Sequence, residues 1–167
     1  MSAGTDGAGR GRSVLVDTAS RLLRAAAAGD RSALAELFDR FGTLFTASVS
    51  AVHDEPAVRD RLCAEGFANV WRRAAEGARS EEPVLWLLEV LCTTLGEARG
   101  HVRRPLGDGL LALDCPDREL LLLAVAGRYS QPEIAQLTGI GEFRLRVILR
   151  DALQTLRAGS GGGLLTA

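Results

Sequence analysis

Apolar residues recur along most of this chain at the three- and four-residue spacing of a helix that buries one face. Almost nowhere do they alternate at the two-residue spacing of a strand. The pattern predicts a first helix over residues 16–28, stopped by Gly29 and Asp30. A second, over 31–53, carries Leu34, Leu37, Phe38, Phe41, Leu44 and Phe45 on one broad face. A third, over 57–75, turns Leu62, Cys63, Phe67, Val70 and Trp71 inward. A fourth, over 83–102, is so crowded with Leu85, Trp86, Leu88, Val90 and Leu91 that it belongs in the interior. Residues 103–113, RRPLGDGLLAL, hold a proline and two glycines, break the periodicity and read as a linker. A fifth helix fits 116–126, with Asp114 as its cap and Asp117 and Glu119 in its first turn. Residues 1–14 and 159–167, rich in small residues, read as loose tails.

The most informative stretch is 130–157, SQPEIAQLTGIGEFRLRVILRDALQTLR. Ser130 can cap a helix, and Glu133 three residues on completes a capping box. Pro132 falls in the first turn, where a missing N–H costs little. Gly139 stops that helix, because glycine accepts the left-handed conformation a helix end needs. Leu145, Leu149, Ala152 and Leu156 then form one apolar stripe on a second helix, with Arg144, Arg146 and Arg150 largely off it. Two helices, a tight glycine turn and arginines on the open side outline a helix-turn-helix, whose second helix enters the major groove of DNA. The expected fold is all-α, with a four-helix domain at 15–103, a short linker at 104–113 and a helix-turn-helix domain at 114–158.

Composition supports this reading and limits it. Apolar residues make up 47% and charged residues 25%, a balance that folds and does not stay disordered. Aromatics are only 5%, and strand formers are sparse, which favours helix over sheet. Net charge is −1, which counts against a protein that binds DNA alone through a large basic surface: either DNA contact is local and weak, or a larger partner supplies most of the affinity. The cysteines Cys63, Cys92 and Cys115, with His53 and His101, fit neither a disulfide framework nor a zinc spacing. No metal or cofactor is expected, and a reducing cytoplasm is the simplest location. The N-terminus lacks the apolar core of a signal peptide, and the longest apolar run, residues 120–126, is far too short to span a bilayer. No nucleophile–base pair is visible, so an enzyme is not expected.

Three segments align with a known order of parts. LLRAAAAGDRSALAELFDRF is similar to a family opening in which one helix ends in Gly-Asp and the next carries spaced Ala, Leu and Phe. DRLCAEGFANVWRRA is similar to a polymerase-binding helix, with Glu65, Phe67 and Trp71 in register. The final segment aligns without gaps through Ser130, Glu133, Ile134, Ala135, Gly139, Ile140, Leu149, Ala152, Leu156 and Arg157. Together, from about residue 22 to 157, the chain resembles the extracytoplasmic-function (ECF) class of bacterial RNA polymerase sigma factors. The resemblance implies a non-enzymatic initiation factor that directs core polymerase to promoters and works at the nucleoid. Its implied partners are core polymerase (clamp and flap), promoter DNA and an anti-sigma factor. It would place Asp60, Arg61, Ala64 and Glu65 on the polymerase clamp. Thr93, Arg99, His101, Arg103 and Arg104 would meet the −10 element. Glu142, Phe143, Arg144, Arg146, Val147 and Arg150 would read the −35 element.

Several positions depart from the family pattern. On the clamp helix, Ala64 stands for the usual glutamine and Arg61 for an acid. On the fourth helix, Cys92 replaces an arginine, Thr93 an asparagine and Gly100 the last arginine, while Glu89 is added. On the recognition helix, Val147 and Ile148 replace a small polar residue and an arginine. A linker of about a dozen residues reaches at most ~40 Å. Promoter elements roughly twenty-five base pairs apart lie on the order of 80 Å apart. Two other readings therefore stand beside the first. One is a sigma-like adaptor or accessory regulator that has lost −10 strand capture. The other is a repressor or activator that binds DNA through its C-terminal domain alone.

Overall fold

In the computed structural model, residues 8–98 and 105–161 are described, and among them all regular structure is helical. The helices are α1 (Ala8–Ala27), α2 (Arg31–Val52), α3 (Pro56–Arg72), α4 (Ala74–Gly77), α5 (Pro83–Glu97), α6 (Pro105–Leu111), α7 (Asp117–Val125), α8 (Gln131–Thr138) and α9 (Glu142–Gly161). The all-α expectation holds.

Local chemistry sets most of these boundaries. Gly29, at φ 91°, ends α1. Asp30 then caps α2, its carboxylate accepting from the Ser32 N–H at 2.9 Å and the Ser32 hydroxyl at 2.6 Å. The Ser32 bonds, side chain first, hold the Asp30 carboxyl below its ordinary range. Prolines open α3 and α5 at their first turns. In α8, Glu133 accepts from the Ser130 N–H and hydroxyl, each at 2.7 Å, while the Ser130 hydroxyl accepts from the Glu133 N–H at 3.4 Å. Gly139 closes α8 at φ 74°, the left-handed conformation expected of it.

α1, α2, α3 and α5 pack together, and the buried Phe45 of α2 stacks on Phe67 of α3 at 4.4 Å between ring centroids. Tight packing also fixes α4. A Cβ on Gly77 would sit 2.5 Å from the Trp86 ring, so only glycine lets this turn lie on the indole. Arg73 covers the same ring from 5.8 Å.

The structure corrects the sequence reading at several places. α1 starts at Ala8, inside the expected tail, and α9 runs through Gly159 to Gly161. The third helix breaks at Arg73 into α3 and α4. α7 starts at Asp117 with no side-chain cap, and Asp114 contributes its carbonyl, which accepts from the Arg118 N–H at 3.1 Å. α5 ends at Glu97, where Ala98 turns extended. The remaining residues of that expected helix, 99–102, lie outside the described residues, as do Arg103 and Arg104.

The largest correction concerns the linker. Much of residues 104–113 forms α6, packed on α2, α5 and α9, with Leu110 and Leu113 buried. Its two glycines are not loop signals. A Cβ on Gly107 would lie 2.8 Å from the Val52 Cα, and one on Gly109 would lie 3.1 Å from Leu156. They let a short helix wedge between α2 and α9.

The two expected domains consequently share one apolar core. α7 packs on α5, and α8 packs on α1 and α5. Leu120, Leu121, Leu122 and Leu123 are buried in the same cluster as Leu87, Leu88, Leu91 and Leu95.

Two glycines should respond oppositely to an added methyl. Gly77→Ala forces the Cβ into the Trp86 ring and should cost about 1–3 kcal/mol in urea denaturation, with altered tryptophan fluorescence. Gly96, in α5 with nothing within 4 Å of its Cβ position, should gain about 0.5–1 kcal/mol on change to Ala. Equal effects would contradict the described packing.

The Glu133 carboxyl is held below its ordinary value, first by the backbone bond from Ser130 and then by the hydroxyl bond. A depressed carboxyl contributes stability above its unfolded pKa of about 4.3 and loses that contribution as pH falls through its folded value. Glu133→Gln should therefore unfold more easily at neutral pH and show a shallower loss of stability in acid. Acid-unfolding curves that run parallel to the parent's would show that the capping box contributes nothing.

Candidate nucleic-acid and partner surfaces

The α8–α9 pair presents one closed side and one open side. Leu145, Leu149, Ala152 and Leu156 are buried, as their spacing predicts, and Ile134 and Leu137 of α8 join them. The turn between the helices is stitched locally. The Thr138 hydroxyl donates to the Ile134 carbonyl at 2.8 Å, and the Ile140 N–H donates to the Thr138 hydroxyl oxygen at 3.3 Å.

On the open side of α9, Glu142, Phe143, Arg144, Arg146 and Arg150 are exposed. Phe143 is 80% exposed, an unusual position for a phenylalanine with no work outside the chain. Phe143, Arg146, Val147 and Arg150 recur at helical spacing and therefore share one face. Val147 is half-buried, and Ile148 packs against the core. Arg150 lies 3.2 Å from the neighbouring Asp151 on the surface, a pair weak enough to be exchanged for another anion. The face thus combines cationic groups with a large flat apolar side chain.

A second surface runs along α3. Asp60, Arg61, Ala64 and Glu65 are all exposed and form one outer stripe, opposite the buried Leu62, Cys63, Phe67 and Val70. Arg61 and Glu65 pair at 3.5 Å one turn apart, an exposed contact worth only tenths of a kcal/mol. Trp71, expected in the core, is half-buried and packs on its edge.

Between α3 and α5 lies a polar cleft of about 380 Å³, bordered by Glu65, Asn69, Arg72, Thr94 and Glu97. The Asn69 side-chain amide donates to the Thr94 hydroxyl at 2.8 Å, and Arg72 donates back to the Asn69 carbonyl oxygen. Sequence reasoning missed this cleft, because Asn69 and Thr94 are twenty-five positions apart and carry no local signal.

The expected −10 surface on α5 is only partly formed by the residues assigned to it. Thr93 is exposed, but its hydroxyl donates to the Glu89 carbonyl at 2.9 Å on its own helix. Arg99, His101, Arg103 and Arg104 lie outside the described residues. Cys92 points inward, towards α7, and burial first of all pushes its thiol up to about 12. A neutral, enclosed thiol is neither nucleophile nor ready metal ligand at physiological pH. Among the described residues, no group of three His, Cys, Asp or Glu side chains could hold a metal ion.

Behind Cys92 sits a pair the sequence did not reveal. Glu119 of α7 is fully buried, and one of its oxygens accepts from the Arg118 Nε at 2.9 Å and Nη2 at 2.6 Å. Its other oxygen, Oε2, has no partner in ordinary hydrogen-bond geometry, and the Cys115 thiol, pushed up to about 12 first by burial, lies against the same carboxylate. Arg118 keeps 16% of its side chain exposed and so leads from the carboxylate towards solvent. Leaving a buried polar atom unsatisfied costs about 1–3 kcal/mol, and more when the group is charged.

No helix among the described residues is long and apolar enough to cross a membrane. No family model matches the sequence, and no curated protein matches it. The fold does have a counterpart. A structure of CnrH in complex with the cytosolic domain of CnrY is similar with a TM-score of 0.52, at 21% sequence identity, over 87% of this chain and 99% of that one.

Proposed function

We propose that this chain is a divergent ECF-type sigma factor that carries core RNA polymerase to promoters. α8 and α9 act as a helix-turn-helix, with α9 entering the major groove of a −35-type element. The outer stripe of α3 docks on the polymerase clamp, and the polymerase flap holds the C-terminal half. The observation that carries this reading is the outward face of α9, where Phe143, Arg146 and Arg150 stand clear while the opposite stripe is buried. Its position behind a bundle of helices, in the order of the ECF class, and the likeness of the whole fold to CnrH, itself an ECF sigma factor, support it. CnrH is seen bound to CnrY, so an anti-sigma protein is a further candidate partner here. Such a factor has no catalytic site of its own and works in the cytoplasm on nucleoid DNA.

Affinity follows from charge. With a net charge of −1, the free chain has little general attraction for DNA, so polymerase supplies the anchoring that α9 alone lacks. Arginine reads guanine bidentately when it reaches a base edge and only positions the protein when it meets phosphate.

One observation favours the adaptor as second reading. The arginine expected on α5 is the buried Cys92, and the Thr93 hydroxyl is already occupied by its own helix. Strand capture by α5 then rests on fewer polar groups than the family uses.

Directed transcription from genomic promoter fragments with core polymerase tests the reading, and no directed initiation together with no binding to core would reject it. Within active complexes, Arg144→Ala, Arg146→Ala and Arg150→Ala separate by mode. A base-reading arginine should cost about 1–3 kcal/mol and relax preference at one base pair. A phosphate-contacting one should weaken all sequences alike and lower the salt slope by about 1. Thr93→Asn, a surface change, should increase promoter opening measured by fluorescence of a base analogue in the −10 element. Tight core binding by the parent without promoter opening selects the adaptor, and an unchanged signal in Thr93→Asn contradicts the role given to position 93.

A further inference from the structure

We propose that Phe143 is a specificity-determining residue of α9, and that it reads the C5 methyl group of one thymine in the major groove. The inference rests on the helix-turn-helix reading above and deepens it, naming a base where that reading names only a groove.

The position of the ring supplies the first argument. Phe143 is the second residue of α9 and is 80% exposed. In a helix-turn-helix, the N-terminal residues of the second helix are the ones that meet base edges. The turn that carries Phe143 is fixed from behind. Leu145, two residues on, is completely buried, and its N–H donates to the Gly141 carbonyl at 2.9 Å. The ring is therefore held outward by a formed turn and not by a loop.

Its neighbours supply the second. Arg146 lies about 60° round the helix from Phe143 and roughly 4.5 Å further along the axis. Arg150 lies almost in line with the ring, on the order of 10 Å along. Both are exposed, so cations that suit phosphate or guanine follow the ring along one face. The ring itself suits neither, and the exposed Glu142 carboxylate beside it repels phosphate. What remains for Phe143 is an apolar group on a base edge. Of the four bases, thymine alone presents one in the major groove, its C5 methyl.

The same spacing disfavours a protein partner for the ring. A helix docked in an apolar groove anchors itself through apolar residues at i, i+3, i+4 and i+7. Counted from Phe143, these are Arg146, Val147 and Arg150, and Val147 is already half-buried. The next large apolar side chain exposed on α9 is Leu153, about 15 Å along the axis and roughly 80° round from the ring. One apolar ring among charges fits a single methyl better than an apolar surface.

The test uses the full chain bound to core polymerase, on an element selected from randomised promoter fragments. Each thymine of that element, on either strand, is replaced in turn by 2′-deoxyuridine, which pairs as thymine does and lacks only the methyl. One such replacement should weaken binding about fourfold, the worth of one buried methyl group. With Phe143→Ala, the same replacement should change nothing. Phe143→Leu, still apolar, should keep part of the preference. Arg146→Ala should weaken binding to both duplexes and leave their ratio as in the parent. Deoxyuridine tolerated at every position overturns the proposal and leaves the sigma reading intact. So does a penalty that persists in Phe143→Ala, or a selected element without an A·T pair. If Phe143→Ala loses core binding in the absence of DNA, the ring belongs to a protein contact and the proposal is overturned. If the parent complex selects no element at all, the reading of α9 as a promoter reader fails, and the proposal fails with it.

Discussion

Four successive leucines, Leu120 to Leu123, cannot all be covered by one neighbour, because consecutive helical positions point about 100° apart. Their complete burial requires a partner on almost every side of α7, and the chain provides three: α5, α8 and α9. This one requirement determines most of the architecture. α8 and α9 alone would leave the remaining side of α7 in water, at a cost of about 1.5–3 kcal/mol for each leucine so exposed. The C-terminal half is therefore built to lean on the N-terminal bundle. α5, whose own faces are nearly all apolar, is the surface that receives it.

The same contact explains the changed chemistry of α5. An arginine at position 92 would point into the leucine cluster. Cys92 fits there, and its thiol, neutral and enclosed, adds no charge to a site that already holds Glu119. Cys92, one of the positions read in the sequence as unlike the ECF pattern, thus sits at the joint between the halves. A feature read as loss of function along the sequence has a packing reason in three dimensions. It also means that Cys92→Arg is no simple restoration, since the charge would enter the core and not a DNA-facing surface.

What the sequence disclosed was what local rules control. The stripe of Leu145, Leu149, Ala152 and Leu156, the Ser130–Glu133 box and the Gly139 stop involve neighbours within a turn or two, and all appear as read. The inward face of α3, with Leu62, Cys63, Phe67 and Val70 buried, was legible for the same reason. Features set by distant partners were not. Gly107 and Gly109 look like loop residues until Val52 and Leu156 are known to press on them. Glu119 looks like an ordinary first-turn acid that favours the helix dipole, whereas tertiary packing encloses it completely. Gly77 carries no signal without Trp86 above it. The roles of the exposed arginines were suggested by resemblance, and geometry adds only that Arg144, Arg146 and Arg150 face outward.

The central claim is that both halves share one core, and cooperativity tests it most directly. Trp71 and Trp86, the chain's two tryptophans, both lie in the first half, so their fluorescence reports its unfolding. Amide signals of α9 in nuclear magnetic resonance report the second half. Followed together through a urea titration, the two probes should give coincident transitions with one midpoint. Loss of the α9 signals at clearly lower urea, with tryptophan fluorescence still native, would contradict the account and mean that the leucines of α7 do not bind the halves into one unit.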